Sequence, residues 1–230
     1  MPLDTTTAVR HLRRADPVMR DLIKAVGPCA LKPGARGDHF TTLLRAIVGQ
    51  QLSAKAAETI WQRLIALHPN GRKLKPEDIL SAKDTDLRGV GLSNAKVAYA
   101  RDLAGRIHSG ELNLAKISRK DDDAIVDELI AVRGIGRWTA EMFLLFKLGR
   151  PDIWATDDLG LQNAVRNRYG VQPTKAKMLE IAEPWRPWRS VASWYLWRSL
   201  ALTAPSLGNQ SGDGHRGKRA ARRDQKSVPV

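Results

Sequence analysis

The stretch DELIAVRGIGRWTAEMFLLF, residues 127–146, constrains the fold more than any other part of the chain. Ile125, Leu129 and Val132 recur at helical spacing before its centre, and Trp138, Met142 and Leu145 do so after it. Between them sits Gly134-Ile135-Gly136. Each glycine inside a helix costs about 1 kcal/mol relative to alanine, so one continuous helix is a poor solution. Two helices joined by a very short turn are a better one. Glycine suits that turn because it reaches positive φ and lets backbone approach backbone or a ligand.

The second helix then begins at Gly136, and its first amides lack intrahelical partners. They carry the positive end of the helix dipole and suit a phosphate, bound without regard to base sequence. Gly134, Ile135, Gly136, Arg137 and Thr139 are the candidate DNA-binding residues of this helix–hairpin–helix. An ordinary αα-hairpin, with glycines serving packing alone, is the alternative. Charge favours nucleic acid: the net charge is +14 and the isoelectric point is about 10.3. Residues 208–230 hold six Lys or Arg and two Asp, which leaves about +10 on the rest of the chain. That tail lacks apolar periodicity and reads as a basic disordered tail.

The remaining segments also read as helices. Asp16-Pro17 supplies an N-cap and a proline at the first helical position. Asp38 can cap HFTTLLRAIVG, and Ser53 can cap the next helix, with Ala57, Ile60, Leu64 and Leu67 on one face. Lys75-Pro76 opens a short helix, and Ser93 and Gly110 bound a longer one. No alternating run rich in Val, Ile and Thr stands out, so the predicted fold class is all-α. LRGVGLSNAKVAYA (87–100) echoes VRGIGRWTAEMFLL (132–145), which suggests one supersecondary unit used twice.

Composition narrows the function classes. Cys29 is the one cysteine, which excludes an intramolecular disulfide and a four-cysteine zinc or iron–sulfur site. No apolar run is long enough to span a bilayer, and no apolar block follows the basic N-terminal residues as a secretory signal requires. These features fit a cytoplasmic protein with no membrane partner, and we also expect a monomer at the bacterial nucleoid.

Two further constellations carry chemistry. After the hairpin comes KLGRPDIWATDDLGLQNAVRNRYG, where Asp157-Asp158 stands at the start of a new helix. One acid can cap while the other points into a cleft. Farther on, Trp185, Trp188, Trp194 and Trp197 alternate with Arg186, Arg189 and Arg198. Most of these indoles should be core, but one or two lining a cleft could stack on a flat cationic base.

GIGRWTAEMFLLF, TDDLGLQNAV, WRPWRSVASWYLWR and RAIVGQQLSAKAAETI together resemble the helix–hairpin–helix DNA glycosylases. Within that superfamily they are similar to the short alkylpurine form, DNA-3-methyladenine glycosylase II. The resemblance spans roughly residues 38–204. The N-terminal β-domain of larger members has no counterpart, and the basic tail is outside the pattern.

The resemblance implies a two-lobed helical fold with damaged double-stranded DNA in the cleft. One lobe would span 38–148, and the other would join 1–37 to 149–207. It implies a catalytic role for Asp158, a base pocket of Trp138, Met142 and Trp197, and a wedge at Gln51 with Leu52 beside it. Met142 stands where some members have an aromatic residue, which leaves pocket shape open. No cofactor is required; a structural Na+ or K+ would sit on the backbone carbonyls of Ile130, Val132 and Ile135.

The implied activity is base-excision repair: hydrolysis of the N-glycosidic bond of alkylated purines such as 3-methyladenine and 7-methylguanine. Two alternatives stand beside it. A noncatalytic helix–hairpin–helix DNA-binding protein would have no use for a carboxylate in a phosphate-lined cleft. A bifunctional glycosylase/lyase needs a lysine amine for a Schiff base. In lyase relatives such as endonuclease III, that lysine occupies the place held here by Trp138.

Overall fold

The computed structural model describes residues 3–34, 37–67 and 73–203. The proposed basic tail lies outside them. Twelve α-helices occur among the described residues, with no strand.

The first helices are set by their caps. Asp4 accepts the amides of Thr6 and Thr7 and opens α1 (Thr5–Ala15). Asp16 accepts Val18 and Met19 and opens α2 (Pro17–Val26), with proline at its first position as the sequence predicts. Asp38 caps α3 (His39–Gly49) through the Thr41 amide at 2.6 Å. Ser53 caps α4 (Ala54–Ala66). The α4 face differs from the expected one: Trp61 and Leu64 are buried, while Leu67 is exposed. Trp61 brings more apolar area to the core than Leu67 could, and the last turn ends before Leu67 reaches it.

Two short helices follow, α5 (Pro76–Ser81) and α6 (Asp84–Gly89). They pack on α7 (Asn94–Ser109), which also lies against α3. Ser93 caps α7, and Gly110 ends it in the left-handed region, as read from the sequence. Next come α8 (Asp122–Ile130) and α9 (Arg137–Met142), the two arms of the hairpin. Residues Phe143–Leu148 continue α9 as π-helix, so its end is wider than an α-helix. Gly149, left-handed at φ 68°, stops it.

The chain then enters α10 (Leu159–Tyr169), α11 (Lys175–Ala182) and α12 (Arg189–Thr203). α12 packs on α2 and α10, so the N-terminal helices are neighbours of the C-terminal ones. Asp16 joins these elements. Besides capping α2, its Oδ2 accepts the Tyr169 hydroxyl at 2.8 Å and the Trp185 indole at 2.9 Å. Burial, and then the Asp16 charge, push the Tyr169 phenol far above its ordinary range. Tyr195 of α12 donates to the Gly27 carbonyl, and burial pushes its phenol up to about 12. Arg189 holds Asp152 through both carboxylate oxygens, at 2.6 and 2.9 Å, and ties α12 to the link before α10.

Candidate active site

The hairpin turn is built as its sequence requires. Gly134 has φ 81°, and a Cβ there would lie 2.2 Å from the Tyr99 ring. Ile135 is buried and donates its amide to Val132 O at 3.0 Å. Gly136 caps α9 with no side chain. The first bond along α9 runs from the Ala140 amide to Gly136 O, so the amides of Arg137, Trp138 and Thr139 precede it without an intrahelical partner.

The side chains at this helix start divide. Arg137 is exposed and pairs with Glu141, one turn on, at 3.1 Å. Glu141 is buried, and desolvation raises its carboxyl above the usual range despite the Arg137 charge. Thr139 is only 9% exposed, so it joins the helix start through its amide rather than as an exposed side chain. The expected apolar face of this arm holds at Leu145 and is corrected at Trp138 and Met142. Trp138 is 42% exposed, Met142 is half-buried, and Ala140, Phe143, Leu144 and Leu145 supply the buried surface.

Trp138 is exposed, and its indole nonetheless serves Asp158. Trp138 Nε1 donates to Asp158 Oδ2 at 2.7 Å. Trp197, on α12, donates from Nε1 to Asp158 Oδ1 at 2.9 Å. The Leu161 amide donates to the same Oδ1 at 2.7 Å. Asp158 is therefore the N-cap of α10, and Asp157, which is exposed, is not. The expected split of roles between the two acids is corrected: one carboxylate both caps and faces the indoles. The physical reason is that Oδ1 can accept two donors while Oδ2 remains for a third.

The two indoles are not equivalent. Trp197 is 7% exposed and stacks on Phe146, with centroids 5.8 Å apart and an interplanar angle of 24°. Phe146 lies in the π-helical stretch after α9. The exposed indole surface beside Asp158 thus belongs to Trp138. Sequence reasoning missed Gly160, whose missing Cβ makes room for this arrangement. A Cβ there would sit 3.0 Å from Asp158 Oδ1 and 3.0 Å from Trp197 Cδ1. A glycine in the first turn of a helix was the available signal.

The loop after α3 completes the constellation. Gln51 and Leu52 are both exposed, and Gln51 is a non-glycine residue with positive φ, 58°. Gln50, next to it, donates its side-chain amide to Gly134 O at 2.6 Å. The wedge candidate and the hairpin are thus one hydrogen bond apart.

The model of HhH-GPD superfamily base excision DNA repair proteins matches residues 44–189. The chain belongs to the HhH-GPD superfamily. The matched span runs from within α3 to the start of α12 and contains the wedge candidate, the hairpin and Asp158. Relatives agree. The chain is 33% identical over 203 residues to DNA-3-methyladenine glycosylase 1 of Schizosaccharomyces pombe, covering 86% of this chain and 88% of that protein. Its fold is similar to the S. pombe 3-methyladenine DNA glycosylase in complex with abasic DNA, with a TM-score of 0.74 at 32% identity, covering 86% of this chain and 98% of that one. It is also similar to a Bacillus halodurans DNA-3-methyladenine glycosidase, with a TM-score of 0.76 at 32% identity, covering 84% of this chain and 88% of that one. The all-helical HhH-GPD fold is therefore that of these glycosylases.

Proposed function

We propose that this HhH-GPD protein is a monofunctional DNA glycosylase that hydrolyses the N-glycosidic bond of alkylated purines, of the 3-methyladenine and 7-methylguanine type, in duplex DNA. One observation carries the reading. Asp158 is held by two indole N–H groups and one backbone amide, beside an exposed indole. Such a carboxylate is fixed before substrate arrives and needs no reorganisation at the moment of reaction.

The mechanism follows from what these groups can do. Breaking an N-glycosidic bond develops positive charge on the sugar. The Asp158 carboxylate stabilises that cation and orients the attacking water. A purine alkylated at N3 or N7 is already positive, so it leaves without a strong acid to protonate it. Trp138 offers its ring face to the flipped cationic base. Trp197 fixes the carboxylate, and with Phe146 against it, it shapes the pocket floor. Met142 borders the same pocket and gives it a flexible wall.

The DNA is held from the hairpin side. The free amides of Arg137, Trp138 and Thr139 receive a backbone phosphate, and Arg137 adds charge. Gln51, with Leu52, fills the gap left by the extruded nucleotide. The lobes would be residues 38–148 on one side of the duplex and residues 1–37 with 149–207 on the other. The carbonyls of Ile130, Val132 and Ile135 are an all-oxygen donor set suited to a hard cation such as Na+ or K+. The Val132 oxygen would be shared with the Ile135 amide. No described helix is long and apolar enough to cross a membrane, and we place the activity at cytoplasmic DNA.

The test is incubation with duplexes that each contain one defined lesion. Release of 3-methyladenine and 7-methylguanine with an intact abasic strand is expected. Binding without release of any base would leave a noncatalytic binder, and a borohydride-trapped protein–DNA adduct would show a lyase instead.

A further inference from the structure

The wedge loop is not a free-standing loop. α3 ends at Gly49, and the chain passes through Gln50 and the left-handed Gln51 before Ser53 opens α4. The last carbonyls of a helix lack intrahelical partners and carry its negative dipole end. Here a cation from another helix meets them. Lys96 Nζ, on α7, donates to Val48 O at 2.8 Å and to Gln50 O at 2.7 Å. The Gln50 carbonyl belongs to the peptide that leads into Gln51. The ammonium therefore grips the backbone on the N-terminal side of Gln51, the one non-glycine residue with positive φ among the described residues.

The same face of α7 also touches the hairpin. Tyr99 lies one turn beyond Lys96, and its ring fills the space where a Gly134 side chain would be. Gln50 closes the third side through its 2.6 Å bond to Gly134 O. Three contacts thus fix the separation between the exposed Gln51 and the hairpin turn: lysine to loop, loop to hairpin, and tyrosine to hairpin. A wedge works only if it is rigid relative to the anchor that holds the strand, because otherwise the unpaired base pushes it aside. Partial burial lowers the ammonium of Lys96 below its ordinary value.

We propose that Lys96 is a positioning residue for base extrusion: it locks Gln51 in its wedge conformation at a set distance from the phosphate-binding hairpin. It touches neither the flipped base nor Asp158. This rests on the glycosylase reading and on Gln51 as the wedge. Lys96 should therefore matter for unpairing the base and not for breaking its bond. A mere helix cap would lower stability and slow every substrate alike.

The experiment measures single-turnover release of 7-methylguanine from two duplexes. In one the lesion is paired with cytosine. In the other it faces an abasic site, so most of the unpairing is already done. Lys96→Met should slow release from the paired duplex about tenfold and from the pre-opened duplex by less than about threefold. Gln51→Ala should show the same selective loss. The Lys96→Met/Gln51→Ala double variant should be little worse than either single one, because both act on one step. Gln50→Ala cuts the link to Gly134 and leaves the Lys96 ammonium in place, and it should be selective in the same way. If Lys96→Met does not fold, Lys96→Gln, which keeps one donor, replaces it in the cycle.

Equal losses on the two duplexes, or fully additive losses in the double variant, overturn the proposal. So does a wild-type ratio in Gln50→Ala together with a folded Lys96 variant. If the wild-type protein releases base from neither duplex, the glycosylase reading itself fails, which is a distinct result.

Discussion

The Trp138 indole donates to Asp158 Oδ2 at 2.7 Å, so the edge of the ring, and not a face, is turned to the carboxylate. An N–H lies in the ring plane. The two faces of this 42% exposed indole are therefore left for other contacts. One side chain can fix the carboxylate and stack on a base at once, and the two roles can be separated by substitution.

Trp138→Phe keeps an aromatic face and removes the N–H. A hydrogen bond to a charged group contributes about 1.5–3 kcal/mol, so release should slow by roughly ten- to a hundredfold. The preference for cationic over neutral bases should survive. Trp138→Ala should lose rate and preference together. Single-turnover release of 7-methylguanine and hypoxanthine from matched duplexes measures both. Equal loss of preference in the two variants would mean the ring face does not select charge.

Gly160 offers a test in which stability and activity move apart. Glycine to alanine within a helix gains up to about 1 kcal/mol in propensity. The added Cβ, however, would lie 3.0 Å from both Asp158 Oδ1 and Trp197 Cδ1. Trp197 is stacked on Phe146 and cannot retreat freely, so the carboxylate must shift by a few tenths of an ångström. Gly160→Ala should melt at or near the wild-type temperature and release base about tenfold more slowly. Wild-type turnover would show that the carboxylate tolerates displacement.

Gly134→Ala tests the hairpin turn. Its φ of 81° is unfavourable for alanine, and the new Cβ would meet the Tyr99 ring at 2.2 Å. Strain and overpacking together should cost about 2–4 kcal/mol. Adding Tyr99→Ala should recover the clash but not the dihedral cost, so the double variant should remain less stable than Tyr99→Ala alone. Denaturant unfolding of the four proteins decides it. Full additivity of the two losses would place the glycine out of contact with Tyr99.

Glu141 predicts a pH dependence of stability. Burial raises its folded-state carboxyl above the unfolded value. An acid shifted this way contributes stability that is fully present below the unfolded value and is lost as pH rises through the folded one. Glu141→Gln cannot ionise and lacks this loss. Relative to wild type, its melting temperature should therefore improve as pH rises from about 4 to neutrality, the range above the ordinary glutamate value. A difference that narrows or reverses over that range would show that the Arg137 pair outweighs desolvation.

Much of this was legible in the sequence for a physical reason: local chemistry sets it. Asp16, Asp38, Ser53 and Ser93 cap their helices because a short side-chain oxygen at that position lies within reach of the unpaired amides of its own helix start. The GIG break is equally local. What was not legible depends on partners far along the chain. Trp61 rather than Leu67 faces the core because α3 lies against α4. Asp158 rather than Asp157 caps α10, and the choice is reinforced by indoles from α9 and α12 that no local pattern announces. The π-helical stretch that brings Phe146 to Trp197 and the reach of Lys96 to the α3 carbonyls are likewise products of packing.

The chemical role of Asp158 is tested most directly by comparing Asp158→Asn with Asp157→Asn. Asparagine keeps an oxygen for the Leu161 amide and can still cap α10, so folding should persist. It cannot offer a negative charge to a developing sugar cation. Single-turnover release of 7-methylguanine should fall by about a thousandfold or more in Asp158→Asn, while binding to the same duplex is retained. Asp157→Asn should release base within about threefold of wild type. Wild-type release by Asp158→Asn, or its loss in Asp157→Asn instead, would contradict the assignment.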